Sequence, residues 1–333
     1  MGGDNAPDEI VKGSLEAAKD QNVDILLVGR GEDILRVIER IGLKELPRGI
    51  EIANATEIIE MEDDPASAVR IKKDASMTVA LSLLRDGRGD ALVSAGSTGA
   101  LLSGATLIVK RVRGVRRAAL APFVPNSAGG FVLIDCGANA DCTPEYLLQF
   151  AFMGSFYAED VLKISAPRVG LLNNGTERTK GTQLQLNCYE LLEKADQDGY
   201  ISFVGNIEAK EAMNGACDVL ICDGFTGNVL LKSLEGMASL LMSELKGIYN
   251  KNIVTKLSAL LIKKHLSGLK VKMNPDSVGG TSLLGISKPV IKAHGASKAY
   301  AISNAIRQAS IAASTDTAER LQSALSQTKT EET

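Results

Sequence analysis

The sequence predicts an α/β fold with a mostly parallel sheet. Two observations carry this. Short apolar runs of strand length alternate with segments of helical period, and a polar, glycine-rich turn follows one run after another. Open sheets of this class bind ligands in the crevice beyond the carboxyl ends of their strands, so the turns are also the first candidates for a site.

The elements follow in order. Residues 1–7 (MGGDNAP) read as a loop of the kind that follows a strand, with no strand ahead of it. Residues 23–28 (VDILLV) form a buried strand, Gly29-Arg30-Gly31 turns the chain, and 33–41 have helical period. A strand ends at 91–94, a small-residue turn covers 96–99, and an apolar helix runs over 100–109. Strands at 131–134, 168–172 and 219–222 run into Asp135-Cys136-Gly137, Asn173-Asn174-Gly175 and Asp223-Gly224. A long helix is expected over 228–246 and a strand over 289–291. Residues 1–313 read as a single α/β domain. A polar tail follows from 314, with a last helix over 318–325 and a frayed end from 328.

Composition narrows the function. The 333 residues carry a net charge of −3, and aromatic residues make up 4% with no Trp, so neither a basic field nor stacking platforms for nucleic acid are expected. No run of ~20 apolar residues crosses a membrane, and no secretory signal is visible, so a cytoplasmic protein is expected. Cys136, Cys142, Cys188, Cys217 and Cys222 form no CxxC pair and read as buried, reduced thiols. No metal and no cofactor is expected.

Five turns recur with glycine and small polar side chains, at 2–5, 94–99, 135–139, 173–176 and 223–228. Each offers backbone N–H groups, and a following helix favours an anion at its start. Gly3, Asp4, Asn5, Ser97, Thr98, Asn139, Asn174 and Thr226 are therefore candidates for binding phosphate. Nucleotide fingerprints fail: Gly29-Arg30-Gly31 has Ile34 where GxGxxG needs glycine, and 175–182 (GTERTKGT) only resembles a Walker A loop. Lys180, in a polar loop ahead of a helix, reads either as a solvated lysine or as a phosphate or oxyanion partner. Asn228 either caps its helix or donates to a carbonyl. His294 either lines the site or satisfies its loop. Without a GxSxG elbow, direct attack by bound phosphate is simpler than an acyl-enzyme.

The segment 245–275 contains no acid and seven lysines. Ile253, Leu257, Leu260 and Leu261 share one helical face, with Lys256 between them and Lys263 and Lys264 just after. This reads either as a core-facing helix or as a surface for a membrane or an acidic partner.

Seven segments together resemble the PlsX family of phosphate acyltransferases: MGGDNAP at 1–7, SAGSTGAL at 94–101, DCGANADCTPEYL at 135–147, NNGTERTKG at 173–181, FVGNIEA at 203–209, CDGFTGNVLLKSLEG at 222–236 and GGTSLLGISKPVIKAHG at 279–295. The resemblance implies a three-layer α/β/α fold like isocitrate and isopropylmalate dehydrogenases, and a homodimer. It implies transfer of a long-chain acyl group from acyl carrier protein to inorganic phosphate. The acyl phosphate then passes to a membrane glycerol-3-phosphate acyltransferase. Family members implicate the lysine of the TKG segment and the asparagine of the GFTGN segment in catalysis, here Lys180 and Asn228. An amphipathic hairpin for peripheral membrane association corresponds to about 246–273. The family usually has a short strand before the MGGD segment. Two rivals are a phosphotransacetylase acting on short acyl-CoA and a membrane-bound scaffold. A decarboxylating dehydrogenase, with Asp218 and Asp223 as part of a metal site, lacks its nucleotide fingerprint.

Overall fold

The computed structural model describes residues 1–252, 254–256, 258, 262 and 279–330. Eleven strands are described: β1 (Ile25–Gly29), β2 (Ile50–Asn54), β3 (Leu92–Ser94), β4 (Ala119–Ala121), β5 (Phe123–Val124), β6 (Phe131–Ile134), β7 (Arg168–Leu172), β8 (Ser202–Ile207), β9 (Val219–Ile221), β10 (Thr281–Leu284) and β11 (Val290–Lys292). The main helices are α1 (Asp8–Gln21), α2 (Gly31–Arg40), α3 (Pro65–Ile71), α4 (Ser76–Arg85), α5 (Thr98–Gly104), α6 (Pro144–Asp160), α7 (Gln183–Gln197), α8 (Ala209–Met213), α9 (Gly224–Asn250), α10 (Ala299–Ala313) and α11 (Thr317–Thr330). A π turn (Ala105–Val109) extends α5.

The strands order as β3-β11-β10-β4 and β5-β6-β9-β7-β8. Pro122 separates β4 from β5 but does not end the pairing: Leu133 N–H donates to the Pro122 carbonyl at 3.0 Å and Cys136 N–H to that of Leu120 at 3.0 Å. One mixed sheet results. Its parallel pairs are β3–β11, β6–β9, β9–β7 and β7–β8, and antiparallel pairs β11–β10, β10–β4 and β5–β6 interrupt them. The reversals have a consequence for the turns. β3 and β11 point one way and β6, β7 and β9 the other, so the turns do not share a single sheet edge.

Both faces are buried, which makes three layers. On β6, Phe131 and Leu133 join one apolar cluster and Val132 and Ile134 the other; on β9, Leu220 faces the first and Val219 and Ile221 the second. The first cluster is covered by α4, α5 and the start of α9, the second by α6, α7 and α11. The last helix expected at 318–325 within the polar tail is α11, which is longer and docked on the core. Leu321, Ala324 and Leu325 are buried, and Arg320 pairs with Glu159 and Asp160.

β1 and β2 pair in parallel apart from the main sheet and, with α1 and α2, enclose their own small cluster of Val11, Leu27, Ile34, Val37, Ile38 and Ile50. A cleft of about 600 Å³ lies between β1 and β3, and among the described residues the strand edges facing it have no ladder partner. Met1 lies at its end, with its side chain against Gly29.

Among the described residues, no helix is long and apolar enough to cross a membrane. All five cysteines are free, and four are buried. Burial pushes the Cys142 and Cys217 thiols up to about 12, and those of Cys136 and Cys188 higher still, so none is a thiolate near neutral pH.

Candidate active site

The candidate residues fall into two groups. The first surrounds the ends of β3 and β11. Asp4 N–H donates to the Gly295 carbonyl at 2.9 Å, and the Asn5 side chain donates to that of Ala296 at 3.0 Å. Gly3 packs on Ala95 so closely that a Cβ would sit 3.0 Å from the alanine methyl. Ser97 is buried and caps α5 through its hydroxyl, and Thr98 opens that helix. His294 is exposed, with Nδ1 accepting from Ala296 N–H at 3.1 Å, so its loop is satisfied by the ring itself.

Lys292, which sequence reasoning missed, ties this group together. Its ammonium donates to the carbonyls of Ala293 at 2.5 Å and Ala95 at 3.3 Å. Burial lowers its pKa to about 8, against the opposing pull of the Asp4 carboxylate. A lysine two residues before a histidine has no distinguishing pattern in sequence; only strand β11 beside β3 brings it under the Ala95 carbonyl.

The second group lies beyond β6, β9 and β7, which are neighbours in that order. Its centre is Asp135, also missed, and fully buried. The carboxylate accepts from Leu120 N–H at 2.8 Å, Ala138 N–H at 3.1 Å, Asn139 N–H at 2.7 Å and the Asn139 side chain at 3.0 Å. Burial raises its pKa, and these donors oppose the rise. Asn139 also donates to the Ala118 carbonyl at 2.9 Å, while its own carbonyl accepts from Gly224 N–H at 2.8 Å. Gly224 leaves no room for a side chain: a Cβ would lie 2.6 Å from the Asp135 carboxylate.

The cap of α9 is Asp223, which accepts from Thr226 N–H at 2.8 Å and from the Thr226 hydroxyl at 2.7 Å. Thr226 is therefore committed to the cap. Asn228 is not a cap at all. It lies in the second turn of α9, exposed, with its side chain 3.6 Å from the position a Cβ would take on Gly137. The capping alternative for Asn228 is overturned, because the helix opens four residues earlier than its apolar period suggested.

Beside β9, the loop after β7 carries Lys180. Its backbone N–H bonds to the Glu177 carbonyl at 3.0 Å, and its carbonyl receives the Asn173 side chain at 3.0 Å. The side chain folds across Gly175 and is exposed, with no ion pair among the described residues. Asn174 is exposed and held by its N–H on the Asn173 side chain at 2.8 Å. Thr182 then caps α7 in a reciprocal bond with Gln185.

Asn228, Asn139, Thr226, Lys180 and Asn174 thus come from adjacent strand ends, whereas Gly3, Asp4, Asn5, Ser97, Thr98 and His294 gather on the other half. α5 and the first turns of α9 pack on one apolar cluster between them. Of the contact residues expected in the basic segment, Lys256 is exposed, and Ile253, Leu257, Leu260, Leu261, Lys263 and Lys264 lie outside the described residues.

The architecture is that of the phosphotransacylases. A phosphotransacetylase from Streptococcus pyogenes superposes with a TM-score of 0.60, at 17% identity, over 95% of this chain and 92% of its own. The EutD phosphotransacetylase from Staphylococcus aureus gives 0.58, at 17% identity, over 94% and 92%. Sequence comparison goes further. The fatty acid synthesis protein family matches residues 1–320. The phosphate acyltransferase of Thermoanaerobacter pseudethanolicus is 48% identical over 310 residues, 93% of this chain and 90% of that protein, and that of Oceanobacillus iheyensis is 46% identical over the same shares. The chain belongs to this family of acyltransferase enzymes.

Proposed function

We propose that this enzyme transfers a long-chain fatty-acyl group from acyl carrier protein to inorganic phosphate, giving acyl phosphate for phospholipid synthesis. The observation that carries the reading is Asn228: in an acyltransferase of this family, its amide is not spent on capping and stands exposed next to Gly137, while the Lys180 loop leaves the adjoining strand β7. A phosphate oxygen attacks the thioester carbonyl carbon. The Asn228 amide donates to the oxyanion that forms, an interaction worth about 3 kcal/mol. Lys180 anchors phosphate, and the C–S bond breaks to release the carrier thiol. Asn174 and, from the other half, Gly3, Asp4, Asn5, Ser97, Thr98 and His294 belong to this reading as the frame for phosphate, with Asn139 holding the Asp135 corner in place, and holding both reactants supplies much of the acceleration.

The enzyme acts as a homodimer. Its support is α9, which exposes the large apolar side chains of Phe225, Val229, Met237, Leu240, Leu241, Met242 and Ile248. The basic segment at about 246–273 gives peripheral membrane contact, delivering acyl phosphate to a membrane glycerol-3-phosphate acyltransferase. The kinship with isocitrate and isopropylmalate dehydrogenases is part of the same reading. A second reading is acyl transfer with short acyl-CoA. It is favoured by the likeness to two phosphotransacetylases.

The test is consumption of palmitoyl-acyl carrier protein by the purified protein, with and without phosphate. Phosphate-dependent loss with formation of acyl phosphate is the expected result. Turnover of acetyl-CoA alone would select the second reading, and no turnover of either thioester would overturn both.

A further inference from the structure

We propose that the loop at residues 110–117 is the docking surface for the acidic carrier protein that brings the thioester. The inference rests on the carrier-dependent reaction above. The chain is net negative, yet no Asp or Glu occurs from Ala91 through Ile134. Within that span Lys110, Arg111, Arg113, Arg116 and Arg117 fall inside eight residues. All five are exposed.

The backbone of the loop is held in place. Val112 and Val115 are buried and anchor it to the core. Val112 N–H donates to the Gly285 carbonyl at 3.0 Å, and Ser287 N–H to that of Lys110 at 2.9 Å. The buried side chain of Gln149 clamps the turn, accepting from Arg116 N–H at 2.9 Å and donating to the Gly114 carbonyl at 3.2 Å. A rigid surface loses little freedom on binding, and arginine is enriched at protein interfaces. No exposed apolar side chain in the loop is available to enter a lipid layer, which favours an acidic protein over a membrane.

Its place fits the chemistry. Arg117 precedes Ala118, whose carbonyl holds the Asn139 side chain, and the Arg117 guanidinium lies 5.8 Å from the centre of the Tyr146 ring at the start of α6. The cations therefore border the corner where Asp135 and Asn139 meet the start of α9. Glu145 is the acid that Arg116 acts on, and the Thr143 hydroxyl already holds that carboxylate low. A carrier docked here would be steered by the excess positive charge.

Arg111 bonds to the Arg116 carbonyl and Arg117 stacks on Tyr146, so the test spares both. It pairs Arg113→Glu with Arg116→Glu and compares them with Lys44→Glu plus Arg48→Glu, an equal charge change at exposed positions away from the loop. Titration with the carrier protein at low salt is expected to show affinity falling about tenfold or more in the loop variant, a loss that shrinks as salt rises, and little change in the control. The ratio of kcat/KM for the carrier thioester to that for a pantetheine thioester should fall alongside. Unchanged carrier affinity, or equal losses on both thioesters, would overturn the assignment. So would loss of binding to anionic vesicles with carrier affinity intact, which would give the loop to a membrane. If the wild-type protein forms no acyl phosphate, the proposed reaction fails, and the carrier titration still decides the docking surface.

Discussion

The side-chain amide of Asn139 donates to the buried Asp135 carboxylate over 3.0 Å, and the carbonyl of the same Asn139 receives the N–H of Gly224. The carboxylate is thereby linked to the first turn of the helix that carries Asn228. Asp135→Asn turns one acceptor oxygen into a donor facing backbone N–H groups, at a cost of about 2–3 kcal/mol. The variant should melt earlier and turn over more slowly. If Asp135 acts by placing Asn228, the double variant with Asn228→Ala should be little slower than the worse single variant. Additive losses would show that the two act separately.

Lys180 is exposed and makes no ion pair among the described residues, so Lys180→Ala should leave the thermal midpoint nearly unchanged. Turnover should nevertheless fall by about 100-fold, the scale of a lost electrostatic partner at the reacting group. Steady-state rates beside a melting curve check both halves. Near-normal turnover would remove Lys180 from the mechanism.

Asn228 and Asp223 make a discriminating pair. Asp223→Ala removes the cap of α9 and should lower stability by about 1 kcal/mol. Asn228→Ala should leave stability alone and lower kcat by about 100-fold, through the lost donor to the oxyanion. Chemical denaturation and kcat, measured on both, read the two effects apart.

The pKa of Lys292 is lowered from its ordinary value to about 8 by burial, so the unfolded chain holds that proton more tightly than the folded one. The sign follows. Between about pH 8 and the ordinary lysine value near 10.5, the unfolded state binds more protons, and stability from this group rises with pH. The contribution is lost as pH falls through about 8. Lys292→Met should flatten this rise, seen as the difference between the two proteins' denaturation midpoints across that window. An unchanged difference across the window would show that the ammonium is not desolvated.

β6 and β7 occupy the residues their apolar runs predicted, because a four- or five-residue run ending at Asp135 or Asn173 has little freedom to slide. α9 was expected to start at 228 because its apolar period becomes visible there; its first turn is Gly224, Phe225, Thr226 and Gly227, whose helical state depends on the Asp223 cap. The reversal of direction between the β4–β5 stretch and β6 was not legible, since strand polarity depends on which distant segments pair. Asp135 looked like one polar residue of a turn. Its burial, and the donors converging on it, arise from β4 lying beside β6. The turns themselves were legible as a set, but not their division between two halves.

The paired strands β1 and β2 close over a core of their own, across a cleft from β3. α1 packs closely on α10, with Gly13 against Ile302, but among the described residues β1 and β2 share no ladder hydrogen bond with the main sheet, so opening this pair costs less free energy than unfolding the whole chain. In heavy water, the amide protons of β1 and β2 should exchange well before those of β6 and β9, whose neighbours are buried on both faces. The protein then has two tiers of cooperativity: an outer flap that samples solvent on its own, and an inner sheet that exchanges only when everything does.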